Sequence, residues 1–167
     1  MKQTQPLFTA LLACIVVVLT QTEALGFYSS HVQRLLKTKV CPSCELAKAD
    51  LRQADLQKAD LRMALISGAT LTGADLSGAN LAGAVLHDVD LSGADLSGAN
   101  LTGAYFQGAK LGGASLRGAN LSGTVLYKAD LTGADLTGAV LNHTVFDGAV
   151  FCRTKRPSGR EDNSGCK

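Results

Sequence analysis

No cysteine lies between Cys44 and Cys152, so any cross-link is confined to the two ends of the chain. The apolar run Leu7 to Leu19 falls short of the ~20 residues that a membrane-spanning helix needs. Charge of one sign is also lacking. Residues 46–151 carry 7 Lys/Arg against 10 Asp, net −3, and the whole chain is +2. That balance argues against nucleic acid as a partner. Histidine is scarce, and of His31, His87 and His143 only His87-Asp88 sets a base beside a carboxylate. Both residues are expected to point outward on a convex face with no pocket to orient a substrate. Candidate chemistry is therefore thin: no catalytic residue, no metal ligand and no cofactor is expected.

What the chain has instead is a five-residue repeat, and looking for repeats first decides the fold. From Leu46 to Phe151 a large apolar residue recurs every fifth position, so (151 − 46)/5 + 1 gives 22 units. Two residues before each centre stands a small residue, Ala in 18 units, with Cys44, Val89, Thr124 and Thr144 as exceptions. Side chains two apart share a direction only in extended backbone. Each unit is thus a very short strand. The residue two after the centre is Gly in 14 units, which gives the freedom that a corner requires. A strand that turns a corner every five residues winds into a coil.

The number of sides follows from the residue just before each centre. In steps of twenty it reads Leu65, Val85, Tyr105, Val125, Val145 on one face. The other three give Asp50, Thr70, Asp90, Lys110, Asp130, Val150, then Asp55, Asp75, Asp95, Ser115, Asp135, then Asp60, Asn80, Asn100, Asn120, Val140. Steps of fifteen would scramble these columns. Four units per coil makes about 5.5 coils from 22 units, roughly 26 Å of rod at 4.8 Å per coil.

The pattern Ala-(Asp/Asn)-Leu-x-x resembles the pentapeptide-repeat family over about two thirds of the chain. The resemblance implies an all-β, right-handed quadrilateral β-helix with the Leu and Ala columns inside. Handedness comes from the family alone. A Cys-x-x-Cys lead-in at Cys41-Pro42-Ser43-Cys44, and an exit through Phe151-Cys152-Arg153-Thr154 and Asn163-Ser164-Gly165-Cys166, are similar to secreted cyanobacterial members. That likeness implies a periplasmic or thylakoid-lumenal home and no reaction.

Four regions are expected. Residues 1–24 follow the basic, apolar, small-residue order of a signal peptide, with Lys2 first and a cut after Ala24, or alternatively Gly26; no stable membrane anchor should remain afterwards. Lipidation at Cys14 is disfavoured because the apolar run continues past it. Residues 25–43 hold a short capping helix with Val32, Leu35 and Leu36 on one side and Ser30 ahead, since an open solenoid end needs a lid. The repeats fill 44–151, and 152–167 form a tail rich in Pro, Gly and Ser. The even number of cysteines, Cys41, Cys44, Cys152 and Cys166, behind an export signal reads as terminal disulfides. The Cys41/Cys44 spacing also fits a redox or half-zinc motif, though no βαβ pattern surrounds it and no second ligand pair lies nearby.

Three roles are consistent with these residues. The leading one is a non-catalytic secreted rod that presents a rigid surface to an unknown protein partner or to a second copy. Another is the DNA mimicry of some cytosolic relatives that bind a topoisomerase, which the export signal and weak charge oppose. A third is a thiol redox protein using Cys41 and Cys44. The Asp columns are expected to stay solvated or to attract a divalent cation, and Asn80, Asn100 and Asn120 to form a hydrogen-bonded ladder. Sequon-like strings at Asn100, Asn120 and Asn142 arise from the repeat itself. The column Leu65, Val85, Tyr105, Val125, Val145 is the expected partner surface, because continuous apolar exposure marks contact sites.

Overall fold

One unit, Ala94 to Gly98, shows how the backbone satisfies itself in the computed structural model, which describes residues 30–167. The Leu96 N–H donates to the Ser115 carbonyl (2.7 Å) and the Gly98 N–H to that of Arg117 (2.8 Å), both on the next coil. The Asp95 N–H reaches back to Ala74 (2.9 Å), and the Ala94 N–H closes a local turn on Leu91 (3.0 Å). The fifth donor, the N–H of Ser97, goes to the carboxylate of Asp95 at 2.8 Å. Every N–H of the unit thus has a partner, as a repeated backbone requires.

Ladder bridges from Val40↔Asp60 to Asp135↔Lys155 are parallel and join residues twenty apart. Four pentapeptides therefore complete each coil, and the four columns read from the sequence are stacked in space. The coil takes in residues on both sides of 44–151. Cys41 occupies a central position one unit ahead of Leu46 and is buried. At the other end Thr154, Lys155 and Arg156 repeat the small, outward and central positions.

The corner position has positive φ throughout. Glycine holds it at Gly98 (φ 65°), and Lys48, Gln53, Lys58, Met63, Asp88, Lys128, His143 and Arg153 hold it without glycine. Each of the latter costs about 1–2 kcal/mol in a left-handed conformation, which the coil's packing offsets. That packing is a continuous column of Leu and Ala, with Ile66, Val89, Phe106 and Thr124 among the buried substitutes. Threonine tolerates the inner Ala position because its hydroxyl finds a carbonyl one coil back: Thr124 on Leu101 (2.8 Å), Thr154 on Leu131 (2.7 Å).

Both ends are closed by the chain itself. Helix α1 (residues 30–38) lays Leu35, fully buried, and Val32 on the first coil. Leu36, expected on the same side, is 50% exposed. The helix stops immediately afterwards, with Lys39 left-handed (φ 56°) and its N–H on the Leu35 carbonyl at 2.8 Å. Leu36 is the next residue, about 100° round the helix from Leu35, and so turns away from the coil end. Ser30 lies within α1 in this structure, while the predicted signal sequence, Cys14 and residues 25–29 lie outside the described residues.

At the C-terminus a two-stranded hairpin, β1 (Thr154–Lys155) and β2 (Glu161–Asp162), folds over the last coil. Arg156 takes the central position that leucine holds elsewhere. Its guanidinium lies 3.8 Å from the Phe151 ring centre and pairs with Asp162 at 2.7 Å. The Gly165 N–H donates to the Phe151 carbonyl at 2.7 Å, and a Cβ on Gly165 would come within 2.8 Å of the Phe151 nitrogen. Disulfides join Cys41 to Cys44 and Cys152 to Cys166.

Candidate interaction face

The Asp or Asn ahead of each central residue has a structural task that the sequence alone did not reveal. Its side-chain oxygen accepts the N–H two residues on, the one donor that the coil ladder leaves over. Among the described residues this happens at eleven corners: Asp50, Asp55, Asp60, Asp75, Asn80, Asp90, Asp95, Asn100, Asn120, Asp130 and Asp135. These are Asx turns, which short acidic and amide side chains are suited to make. All eleven lie on three faces.

The fourth face has none. Leu65, Val85, Tyr105, Val125 and Val145 stack in unbroken bridge register, and no side-chain oxygen precedes the corner N–H groups of Ser67, His87, Gln107, Tyr127 and Asp147. A side-chain hydrogen bond to a backbone donor is worth about 0.5–1.5 kcal/mol, so the face forgoes that gain in five consecutive coils. Leu65 (44%), Tyr105 (47%) and Val145 (39%) are exposed, while Val85 and Val125 are half-buried. Neither α1 nor the C-terminal hairpin covers the strip: His31 of α1 stops at Glu45, bonding its backbone N–H at 3.2 Å, and Gly165 lies against Val150 on the adjacent column.

Beside the strip, Tyr127 is also exposed and Lys128 places its ammonium 5.0 Å from the Tyr127 ring centre. His87, one residue before the Asp88 corner, is partly exposed. Its Nδ1 is buried with no hydrogen-bond partner, and its ring lies 6.3 Å from that of Tyr105. The residue as a whole stays partly exposed, with the Tyr105 ring covering one side of it.

The acidic columns are interleaved with cations, which weakens any likeness to an acidic rod. Asp50 pairs with Arg52 and Asp60 with Arg62, both at 2.6 Å, and Asp55 with Lys39 at 2.7 Å. Asp135 receives Arg117 at 3.0 Å and Lys155 at 3.6 Å. Lys155 and Arg156 of the basic tail are thus engaged within the fold. The amide ladder is partial: Asn100 donates to Asn80 at 3.2 Å, whereas Asn120 gives its oxygen to the Ser122 N–H and hydroxyl. Among the described residues no group of three or more His, Cys, Asp or Glu is placed to hold a metal ion. The Cys41 and Cys44 sulfurs sit in buried residues, without the access that thiol exchange requires.

Corner capping makes stability acid-sensitive. Partial burial raises the Asp135 pKa, but the Thr137 hydroxyl and N–H and the Arg117 guanidinium outweigh it and hold the group at about 2. A pKa lowered in the folded state stabilises above the unfolded value and is lost as pH falls through the folded one. Asp135→Asn should therefore cost about 1–2 kcal/mol at pH 7. Its deficit against wild type should close between about pH 4 and 2, read as thermal midpoints across that range.

Comparison with known proteins agrees with this geometry. The family model "Pentapeptide repeats" matches residues 43–73, 64–103, 99–138 and 129–155. The chain belongs to the pentapeptide-repeat family. Among solved structures it is similar to HetL, a pentapeptide repeat protein involved in heterocyst differentiation regulation in the cyanobacterium Nostoc sp. strain PCC 7120. The two share 29% identity over 74% of this chain and 66% of HetL, with a TM-score of 0.64. It is also similar to a pentapeptide repeat protein of the Arabidopsis thaliana thylakoid lumen, at 33% identity over 53% of this chain and 62% of that one, TM-score 0.52. The chain thus spans about two thirds of the length of either protein. A search of curated proteins found no match.

Proposed function

We propose that this protein is a non-catalytic, exported scaffold, a right-handed four-sided rod that offers the Leu65 to Val145 face to a protein partner. The observation that carries the reading is the missing corner cap. Three faces use Asp or Asn to complete the backbone, and one face omits it coil after coil in favour of exposed apolar side chains. A strand preference for β-branched residues would not select a single face. Tyr105, central and exposed, is the natural anchor, because aromatic residues dominate interface energetics. Export is supported by the order of residues 1–24, by the terminal disulfides and by likeness to a lumenal protein.

The test changes Val85, Tyr105 and Val125 together to Asn, Asp and Asn. Each new side chain supplies the absent corner acceptor, so the variant should fold with a circular dichroism spectrum and thermal midpoint at least equal to wild type. It should lose association in pull-downs from the native compartment. A photo-crosslinker at position 105 should capture a partner, and the same probe at position 95, on the opposite face, should not. A triple variant that folds normally and retains every association of the wild type would remove this face from consideration.

A further inference from the structure

Counted from Tyr105, the face is nearly its own mirror in height. The strip reads Leu65, Val85, Tyr105, Val125, Val145, with an aliphatic residue at each of two levels above and below the tyrosine. Over the same five levels the corner column beside it reads Gly68, Asp88, Gly108, Lys128, Gly148, with opposite charges one level to either side of the middle; one coil below Leu65 the two columns continue as Glu45 and Lys48. Among the described residues neither charge forms an ion pair. Asp88 has no side-chain partner among the described residues and leans over Gly108, where its Oδ1 would collide with a Cβ. Lys128 rests on the Tyr127 ring.

We propose that the occupant of this face is a second copy of the chain, docked antiparallel about a two-fold axis that passes through Tyr105. This rests on the reading of the face as an interaction surface. A two-fold axis brings the same patch of both copies together. Antiparallel docking puts Leu65 against Val145 of the other copy, Val85 against Val125, and Tyr105 against itself. It also brings Asp88 level with Lys128 of the other copy, once on each side of the axis. Parallel docking would carry the two corner columns to opposite sides of the strip and pair neither charge, so the charges favour the antiparallel arrangement. Complementary charge fixes register more than it adds affinity. A strip about 20 Å long at 4.8 Å per coil is smaller than the ~800 Å² per partner of a standard interface. The dimer is accordingly a weak, concentration-dependent one.

Sedimentation of the purified protein from about 1 μM to 1 mM, the range of weak affinities, should show monomers converting to dimers. Asp88→Lys alone and Lys128→Asp alone should each weaken the dimer about tenfold or more, and the double exchange should restore it. In a Cys14→Ser background, Tyr105→Cys should form a disulfide with itself on mild oxidation. Leu65→Cys should not link to itself, but should link to Val145→Cys when the two proteins are mixed. A wild type monomeric over the whole range would overturn the second-copy proposal and leave the crosslinker test of the face standing. Self-linking Leu65→Cys, or a double exchange that fails to restore the dimer, would overturn the antiparallel axis. A dimer that survives the Val85, Tyr105 and Val125 triple change would show that the copies meet elsewhere.

Discussion

Leu96→Asp should yield no folded rod. Leu96 is fully buried, with Leu76 below and Leu116 above it in the same column, in a core of apolar side chains. A carboxylate there has no partner, and the alternative to burying the charge is to open the coil. Truncation without charge, Leu96→Ala, should fold but lose about 2–5 kcal/mol, because the neighbouring coils are held at ladder spacing by backbone bonds and cannot collapse into the space. Denaturant melts of the two variants check both statements. A Leu96→Asp protein that purifies with unchanged stability would refute the four-sided core.

The second large effect is local. Replacing Cys152 and Cys166 with serine should cost about 3 kcal/mol in the loop-closure model, and the loss should appear first at the C-terminal coil. There the Leu131, Gly133, Leu136 and Gly138 N–H groups donate to Val150, Cys152, Lys155 and Pro157, carbonyls on the segment that the disulfide holds in place. Hydrogen exchange should speed up at those four amides and change little at Leu96, since each repeat of a solenoid contacts only its neighbours. Uniform acceleration along the rod would mean that the tail supports the whole coil cooperatively.

The repeat, the four columns and the buried Leu and Ala positions were legible because they depend on side-chain direction and size, which a periodic sequence displays. The task of Asp95 and its counterparts was not. A polar residue on an outer column reads as solvation, and only backbone geometry shows that one N–H per unit lacks a ladder partner. Arg156 was hidden for a related reason. It breaks the apolar rule of the central position and closes the core with a cation laid on Phe151, whereas the sequence offers only a basic tail. The contact of His87 with Tyr105 was not legible either, because the two residues lie on successive coils and meet only once the coil is closed. The apolar strip was legible as a column. That it forgoes a hydrogen bond at each corner, which separates it from a mere strand preference, required the structure.

The interior repeats every five residues, while bridges span twenty, so the inside and outside of the rod respond differently to a change in chain length. An insertion or deletion of one pentapeptide between Tyr105 and Val125 would leave every later leucine pointing inward. It would also swing everything downstream through a quarter revolution, carrying Val125 and Val145 off the side that bears Leu65 and Val85. Twenty residues restore the phase. Gain or loss of pentapeptides can therefore redraw the outer surface of such a protein in one step without disturbing its core.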